Sequence, residues 1–118
     1  MKFVKVIRKA DMRILADRVR VAESFWQRFR GLMFAAPLKE NEGLLIESCS
    51  SIHMMFMRFS IDAVFLDAAN KVKKIYSGLL PWIGIGIASG SCKVIEFKSN
   101  TIENSGIKIG DLLLLEQV

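Results

Sequence analysis

Several features that mark secreted or modular proteins are missing from this sequence. It has two cysteines in 118 residues, which are too few for a disulfide framework, so we expect reduced thiols. The opening segment MKFVKVIRKADMR has no apolar run of the length that a secretory signal requires. Internal repeats, low-complexity tracts and linkers are also missing. These absences predict a cytoplasmic protein of one domain, residues 1–118.

The composition is that of a folded globular protein. Hydrophobic residues make up 52% of the chain and charged residues 25%, whereas disordered chains combine low hydrophobicity with high net charge. A chain of this length buries roughly two thirds of the surface that it exposes when unfolded. The sequence therefore contains enough apolar material for one substantial core.

The net charge of +5 is concentrated in the first quarter of the chain. Residues 1–30 contain nine lysines and arginines against three acids, a balance of +6, and residues 31–118 contain eight against nine, a balance of −1. Clustered cations release counterions from phosphate, so a basic face with Arg13, Arg18 and Arg20 is a candidate nucleic-acid surface. No nucleic-acid-binding motif accompanies the charge, and a solvated face that keeps the protein soluble is the alternative.

The stretch from Gly43 to Asp67 predicts three consecutive β-strands. Residues 43–46, 52–57 and 61–66 are rich in β-branched, aromatic and long apolar side chains, and polar clusters that suit turns separate them. Strand side chains alternate between faces, and apolar residues occupy both alternating sets of positions in the middle segment, so both of its faces are largely apolar. We therefore predict that residues 52–57 form a central strand.

The segment before this stretch predicts an amphipathic helix. Apolar residues at spacings of three and four form one stripe over 22–30, and Gly31 would end the helix. Arg28 and Arg30 lie off that stripe, where they either hold an anion or pair with Glu23 and solvent.

The rest of the chain predicts further strands and a second helix. Ser99 or Asn100 can cap this short helix, Glu103 lies three residues after Asn100 and would complete a capping box, and Gly106 ends the helix. The remaining predicted strands are 3–7, 12–21, 72–77, 93–97 and 112–115. The pattern indicates an α+β fold, in which a small, mostly antiparallel, barrel-like β-sheet carries one amphipathic helix and one short helix.

An uncharged segment runs from Ile75 to Cys92. Its 18 residues approach the length of a transmembrane span. Four glycines, three serines and Pro81 argue against a spanning helix, and we predict no transmembrane segment. The composition favours a flexible apolar loop carrying Trp82, which either folds over the core or offers a binding surface.

Seven short motifs lie one after another along most of the chain. They are Arg28-Phe29-Arg30-Gly31-Leu32-Met33, Glu42-Gly43-Leu44-Leu45, Ser51-Ile52-His53, Phe56-Met57-Arg58-Phe59-Ser60-Ile61-Asp62, Phe65-Leu66-Asp67, Pro81-Trp82 and Gly106-Ile107-Lys108-Ile109-Gly110-Asp111. This combination resembles the family called domain of unknown function 192, over residues 12–118. The resemblance implies a small, single-domain, β-rich, barrel-like fold with a helix at the first motif. It implies no established activity, and we predict no cofactor.

Cysteine chemistry and a soft metal site are two candidates for the chemistry of the single histidine, His53. Cys49 lies four residues before it, and along one extended strand this spacing puts the two residues roughly 13 Å apart, too far for a catalytic dyad. Cys92, on another strand, remains a possible partner. His53, Met55 and Met57 would share a strand face, and imidazole with thioethers suits Cu(I). Core methionines and a hydrogen-bonded histidine are the alternative, so no metal site is predicted.

A ligand pocket in the central strands is the third candidate. His53, Arg58 and Asp62 would line it, with Met57 beside them and Trp82 contributed by the apolar loop. Arg58 interrupts an apolar run, and a charge there must be paired or reach solvent. A structural ion pair between Arg58 and Asp62 is therefore the alternative to a ligand site.

These observations favour a non-catalytic, barrel-like domain that binds a small ligand or a protein. The alternative is a small hydrolase or transferase that uses the pocket of His53, Arg58 and Asp62. A third hypothesis is that the basic N-terminal face binds nucleic acid.

Overall fold

Nine β-strands and two short helices form the part of the chain that the computed structural model describes, residues 2–33 and 35–118, with Phe25 described by its backbone alone. In chain order they are β1 (Phe3–Arg8), β2 (Arg13–Ala22), α1 (Phe25–Arg30), β3 (Glu42–Glu47), β4 (Ser51–His53), β5 (Ile61–Leu66), β6 (Val72–Leu79), β7 (Ile85–Ile87), β8 (Lys93–Lys98), α2 (Thr101–Ser105) and β9 (Leu113–Gln117).

Seven of the strands form one curled sheet in the order β6-β5-β8-β3-β2-β1-β9. Neighbouring strands are antiparallel except β2 and β3, where Val19 lies opposite Gly43 in parallel register. A bridge between Lys71 and Leu112 joins the chain just before β6 to the chain just before β9, so the two edge strands approach each other at one end. The sheet is a curled half-barrel, which confirms the predicted α+β, barrel-like fold.

The curled sheet separates two apolar clusters. One cluster lies on the α2 side, and its members include Val19, Leu45, Val64, Phe97 and Ile102. The other lies on the opposite face, and its members include Leu32, Leu44, Ile52, Met54 and Phe65. Full burial of a large apolar side chain contributes about 1.5–3 kcal/mol. The first cluster contains the fully buried ring of Phe97, and the second contains that of Phe65.

A two-stranded ribbon of β4 and β7 covers the second cluster. The predicted central strand over 52–57 is wrong, because β4 ends at His53 and pairs with β7 outside the main sheet. Beyond it the chain turns, and the Met57 N–H donates to the Met54 carbonyl. Met54 and Met57 are buried from this turn. The apolar residues that predict a strand buried on both faces therefore include turn residues whose side chains are buried in the core.

Local capping fixes the bounds of α1. The Ser24 hydroxyl accepts a hydrogen bond from the Gln27 N–H at 3.0 Å, and the Gln27 side chain accepts one from the Ser24 N–H at 3.4 Å and another from the Glu23 N–H at 2.8 Å. This reciprocal cap starts the helix three residues later than predicted. Gly31, with a φ of 51°, ends it as predicted.

The second helix ends at Gly106 as predicted, but its predicted capping box is wrong. Asn100 stands at the N-cap position with a φ of 77°, and its side chain makes no capping hydrogen bond. The left-handed backbone turns the side chain away from the helix N–H groups, and asparagine tolerates that conformation better than most residues.

The uncharged segment is more ordered than a loop. Its first residues extend β6 to Leu79, and Ile85–Ile87 forms β7. Gly86 faces inward, where an added Cβ would lie 3.3 Å from Ile52 and Phe65. The segment therefore covers the core with backbone and turns its isoleucine side chains outward. Neither α1 nor α2, nor any other described helix, has the length and apolar character needed to cross a membrane.

Candidate functional site

A cavity of about 220 Å³ lies between the end of α1, the chain around β4 and the middle of β8. Its walls are mostly apolar, and its polar side chains come from segments far apart in the sequence. The polar lining residues are Arg28, Arg30, Cys49, Ser51, His53 and Glu96. The apolar ones include Leu32, Met33, Ile46, Ile52 and Met57.

Glu96 is the buried acidic group of this cavity. It stands in β8 opposite Leu44 of β3 and Ala63 of β5, so its side chain shares the sheet face with the second apolar cluster. The residue is 4% exposed, and within residues 2–33 and 35–118 its Oε1 atom has no hydrogen-bond partner. Gly31 lies directly above, since a Cβ added there would be 3.8 Å from that oxygen.

Burial changes the protonation of Glu96. Removal of the carboxylate from water raises its pKa from 4.5 to about 7. The side chain is therefore present in both the neutral and the ionised form near neutral pH. In the neutral form it can donate a hydrogen bond, and in either form it can accept one.

Cys49 lies in the same cavity and is held as a thiol. Its Sγ donates to the Ser51 carbonyl at 3.0 Å. Burial raises the pKa of Cys49, and the nearby Glu96 raises it further. Thiolate chemistry needs the opposite shift, so the environment of Cys49 disfavours a nucleophilic role.

His53 is fixed by its own turn. Its Nδ1 accepts a hydrogen bond from the Met55 N–H at 3.2 Å, so in the neutral ring the proton lies on Nε2. His53 and Cys49 both line the cavity. They do not form a metal centre with Glu96, because the described residues contain no group of three His, Cys, Asp or Glu side chains close enough to hold one ion.

Two guanidinium groups stand at the rim of the cavity. Arg28 is half-buried and Arg30 is exposed. Arg30 Nε donates to the Met33 carbonyl at 3.4 Å. Within residues 2–33 and 35–118 the one ion pair joins Arg8 to Asp11, so neither rim arginine is paired with Glu23 or Glu96.

The predicted pocket residues separate in the structure. His53 and Met57 line the cavity, whereas Arg58 is exposed on the turn before β5 and does not. Asp62 lies on the α2 side of the sheet, where its carboxylate accepts hydrogen bonds from the N–H groups of Gly78 and Ile102, each at 2.9 Å. The predicted ion pair between Arg58 and Asp62 is therefore wrong.

Trp82 is also outside the cavity, with its ring against the ring of Phe56 at 5.1 Å. The predicted pocket of His53, Arg58, Asp62 and Trp82 is therefore not one concave site. The shared strand face that was predicted for His53 and the neighbouring methionines is also wrong, because β4 ends at His53.

The predicted basic face is divided between two surroundings. Arg18 lies over the Phe3 ring at 4.5 Å, and Arg20 is on the same side of β2 by strand alternation. Arg13, at the other end of β2, donates to the carbonyls of α2 residues Asn104 and Ser105 at 3.4 and 3.5 Å. Nucleic-acid binding by Arg13, Arg18 and Arg20 stays a prediction.

Sequence reasoning missed Glu96. A signal was present, because the strand Lys-Val-Ile-Glu-Phe-Lys places an acid between apolar residues of a central strand. A charge there must find a partner or change its protonation. The same rule predicts a partner for Arg58, but Arg58 is exposed to solvent and needs none.

Comparisons with known proteins agree on the fold and on the family. A UPF0127 protein of Thermococcus sibiricus is 32% identical over 110 residues, which cover 90% of this chain and 71% of the relative. A UPF0127 protein of Pyrococcus furiosus is 33% identical over 98 residues, which cover 80% of this chain and 84% of the relative.

Two solved structures share the architecture. A Sinorhizobium meliloti protein described as a candidate transcription regulator superposes with a TM-score of 0.83 at 21% identity, over 97% of this chain and 92% of that one. A Novosphingobium aromaticivorans protein of unknown function superposes with a TM-score of 0.81 at 22% identity, over 95% of this chain and 83% of that one. At these identities the likeness concerns the fold. The model of the uncharacterized family named domain of unknown function 192 matches residues 6–115. The chain therefore belongs to this family.

Proposed function

We propose that the protein binds a small organic acid that also carries a hydroxyl or amino group, in the cavity beneath α1. The observation that supports this proposal is the unpartnered Oε1 of Glu96, which is buried beside a cavity with arginines at its rim.

The inner end of the site needs a hydrogen-bonding partner. A buried polar atom that makes no hydrogen bond costs about 1–3 kcal/mol, and such atoms are rare in folded proteins. No side chain among the described residues supplies a partner for Glu96 Oε1. A ligand hydroxyl suits this carboxyl group in both of its protonation states, because a hydroxyl can donate and accept.

The outer end of the site suits an anion. Arg28 and Arg30 both line the cavity, and guanidinium groups bind carboxylates and phosphates through paired N–H donors. The two ends together select a molecule with a donor group at one end and an acid at the other.

The volume limits the size of the ligand. About 220 Å³ is below the roughly 300–1,000 Å³ of most pockets for drug-sized ligands. Leu32, Ile46 and Ile52 supply apolar contacts for a short carbon chain. A compound of three to four carbons, roughly the size of glycerate, therefore fits these limits.

Binding explains the cavity better than hydrolysis or group transfer does. The Cys49 thiol is hydrogen-bonded and its pKa is raised. The residues expected to form a hydrolase or transferase pocket, Arg58 and Asp62, lie elsewhere. We therefore infer a ligand-binding domain, in agreement with the leading hypothesis from the sequence.

Titration calorimetry with three related compounds tests the proposal. Glycerate has both the acid and the hydroxyls, propionate lacks the hydroxyls, and glycerol lacks the acid. A hydrogen bond to a charged group contributes about 1.5–3 kcal/mol, so each incomplete compound is expected to bind about tenfold more weakly or worse.

Variants assign the binding to the cavity. Glu96→Leu removes the inner partner at similar volume, and Arg28→Gln removes one rim charge. Each should weaken glycerate binding about tenfold, whereas Arg58→Gln and Glu103→Gln should leave it unchanged. Equal binding of the three compounds, or a loss caused by Arg58→Gln instead of Arg28→Gln, would overturn the proposal. Circular dichroism of each variant separates lost binding from lost folding.

A further inference from the structure

An exposed apolar surface lies on the outer side of the β4–β7 ribbon and its flanking turns. We name it the ribbon face, and its members are Met55, Phe56, Trp82, Ile83, Ile85 and Ile87. Trp82 is 55% exposed, Ile83 73% and Ile85 62%. Single exposed apolar residues are common on proteins, but a contiguous group indicates an interaction surface.

Backbone hydrogen bonds hold the ribbon face together. The Trp82 N–H donates to the Met54 carbonyl at 2.7 Å, and the Met54 N–H donates to the Gly84 carbonyl at 2.9 Å. Ile85 and Ile87 point to the same side because the inward residue between them is Gly86. The apolar side chains are therefore presented by a fixed backbone.

The sequence around the ribbon face contains no acidic residue. No Asp or Glu occurs between Asp67 and Glu96, or between Glu47 and Asp62. Cations do occur there. Lys74 Nζ lies 5.0 Å from the Tyr76 ring, and the Tyr76 hydroxyl donates to the Ile87 carbonyl at 2.8 Å, so this lysine stands beside the ribbon.

We propose that the ribbon face docks on an anionic lipid surface. Trp82 and the isoleucines would enter the region between headgroups and acyl chains, where tryptophan is enriched. Lys74 and Arg58, the cation of the adjoining turn, would contact the headgroups. A second copy of this chain would bring like charges together at a symmetric contact, and the isoleucines offer no directional polar groups for fixing the register of a protein partner.

Fluorescence of Trp82 tests the proposal. The chain has two tryptophans, so Trp26→Phe leaves Trp82 as the reporter. With vesicles of phosphatidylcholine and phosphatidylglycerol we expect a blue shift of its emission and co-sedimentation of the protein. With pure phosphatidylcholine both responses should be much weaker, and added salt should weaken binding to the anionic vesicles.

Matched variants locate the contact. Ile83→Ser should reduce vesicle binding about tenfold, and Lys74→Gln or Arg58→Gln about fivefold each. Ile109→Ser is the control, because Ile109 is also exposed, at 64%, but lies away from the ribbon face. The next residue, Gly110, donates its N–H to the Val72 carbonyl, at the end of β6 that is far from the ribbon. Absence of a blue shift with anionic vesicles overturns the proposal.

Two other results would also overturn it and would name a different partner. Concentration-dependent self-association that Ile83→Ser removes would assign the ribbon face to a second copy. A blue shift with an acidic polypeptide such as polyglutamate, and none with vesicles, would assign it to a protein.

Discussion

Replacement of Glu96 by glutamine is expected to stabilise the protein above neutral pH. In the folded state burial raises the pKa of Glu96 from 4.5 to about 7. Between these values the folded protein binds one more proton than the unfolded chain. Stability falls with rising pH wherever the folded state binds more protons, so the free energy of unfolding declines over this interval and the loss is complete above it.

The magnitude follows from the size of the pKa shift. One pKa unit corresponds to about 1.4 kcal/mol, so the rise from 4.5 to about 7 corresponds to a loss of about 3 kcal/mol. Glutamine cannot ionise and keeps a similar shape. The free energy of unfolding of Glu96→Gln, relative to that of the wild type, should therefore rise by about 3 kcal/mol as the pH increases from about 4 to about 8.

Urea denaturation at a series of pH values measures this difference. The comparison of variant and wild type at each pH cancels the titration of all other groups. Glu103→Gln, an exposed substitution on α2, is the control and should show no such trend. If the difference between Glu96→Gln and the wild type were the same at every pH, Glu96 would keep an ordinary pKa in the folded protein, and the main support for the ligand site would be lost.

Three further predictions concern other parts of the molecule. Asp62→Asn should lower the free energy of unfolding by about 1–3 kcal/mol in denaturant titrations, because one of the two backbone N–H groups that donate to this buried carboxylate loses its acceptor; an unchanged midpoint would contradict this role. Cys49 should react with iodoacetamide at neutral pH more slowly in the folded protein than in urea, since burial raises the pKa of its thiol; equal rates in mass spectrometry would refute this. Gly84→Ala should destabilise the protein by about 1–3 kcal/mol in thermal unfolding, because the new Cβ would lie 2.8 Å from the Leu80 carbonyl, whereas a neutral effect would mean that the turn adapts.

Much of the fold could be predicted because its strands carry strong local signals. The predicted strand at 61–66 and the ends of both helices at Gly31 and Gly106 agree with the structure. The middle strand could not be judged locally. Its apolar residues fit a strand and a buried turn equally well. In the sheet, the place between β3 and β5 is taken by β8, which comes much later in the sequence.

The candidate site could be predicted only in part. His53 and Met57 line the cavity, and Arg28 and Arg30, whose binding of an anion stays a prediction, stand at its rim. Glu96 joins these residues through the packing of the end of α1 over β8, which no local pattern encodes.

Sequence proximity was also misleading for Arg58 and Asp62. Their closeness in the sequence predicts an ion pair between the two side chains. Strand alternation instead turns Asp62 to the α2 side, where two backbone N–H groups bind it.

The order of strands in the half-barrel has a consequence for how fast the protein folds. Val4 pairs with Gln117 across β1 and β9, and β3 pairs with β2 and β8 rather than with β4. Such pairings require large loops to close before any stabilising contact forms, and domains dominated by them fold in milliseconds to seconds. We expect refolding after dilution from urea to be resolved by stopped-flow mixing, with β9 pairing among the late events. The unpaired edge of β1 would then be the segment most exposed to mispairing during folding.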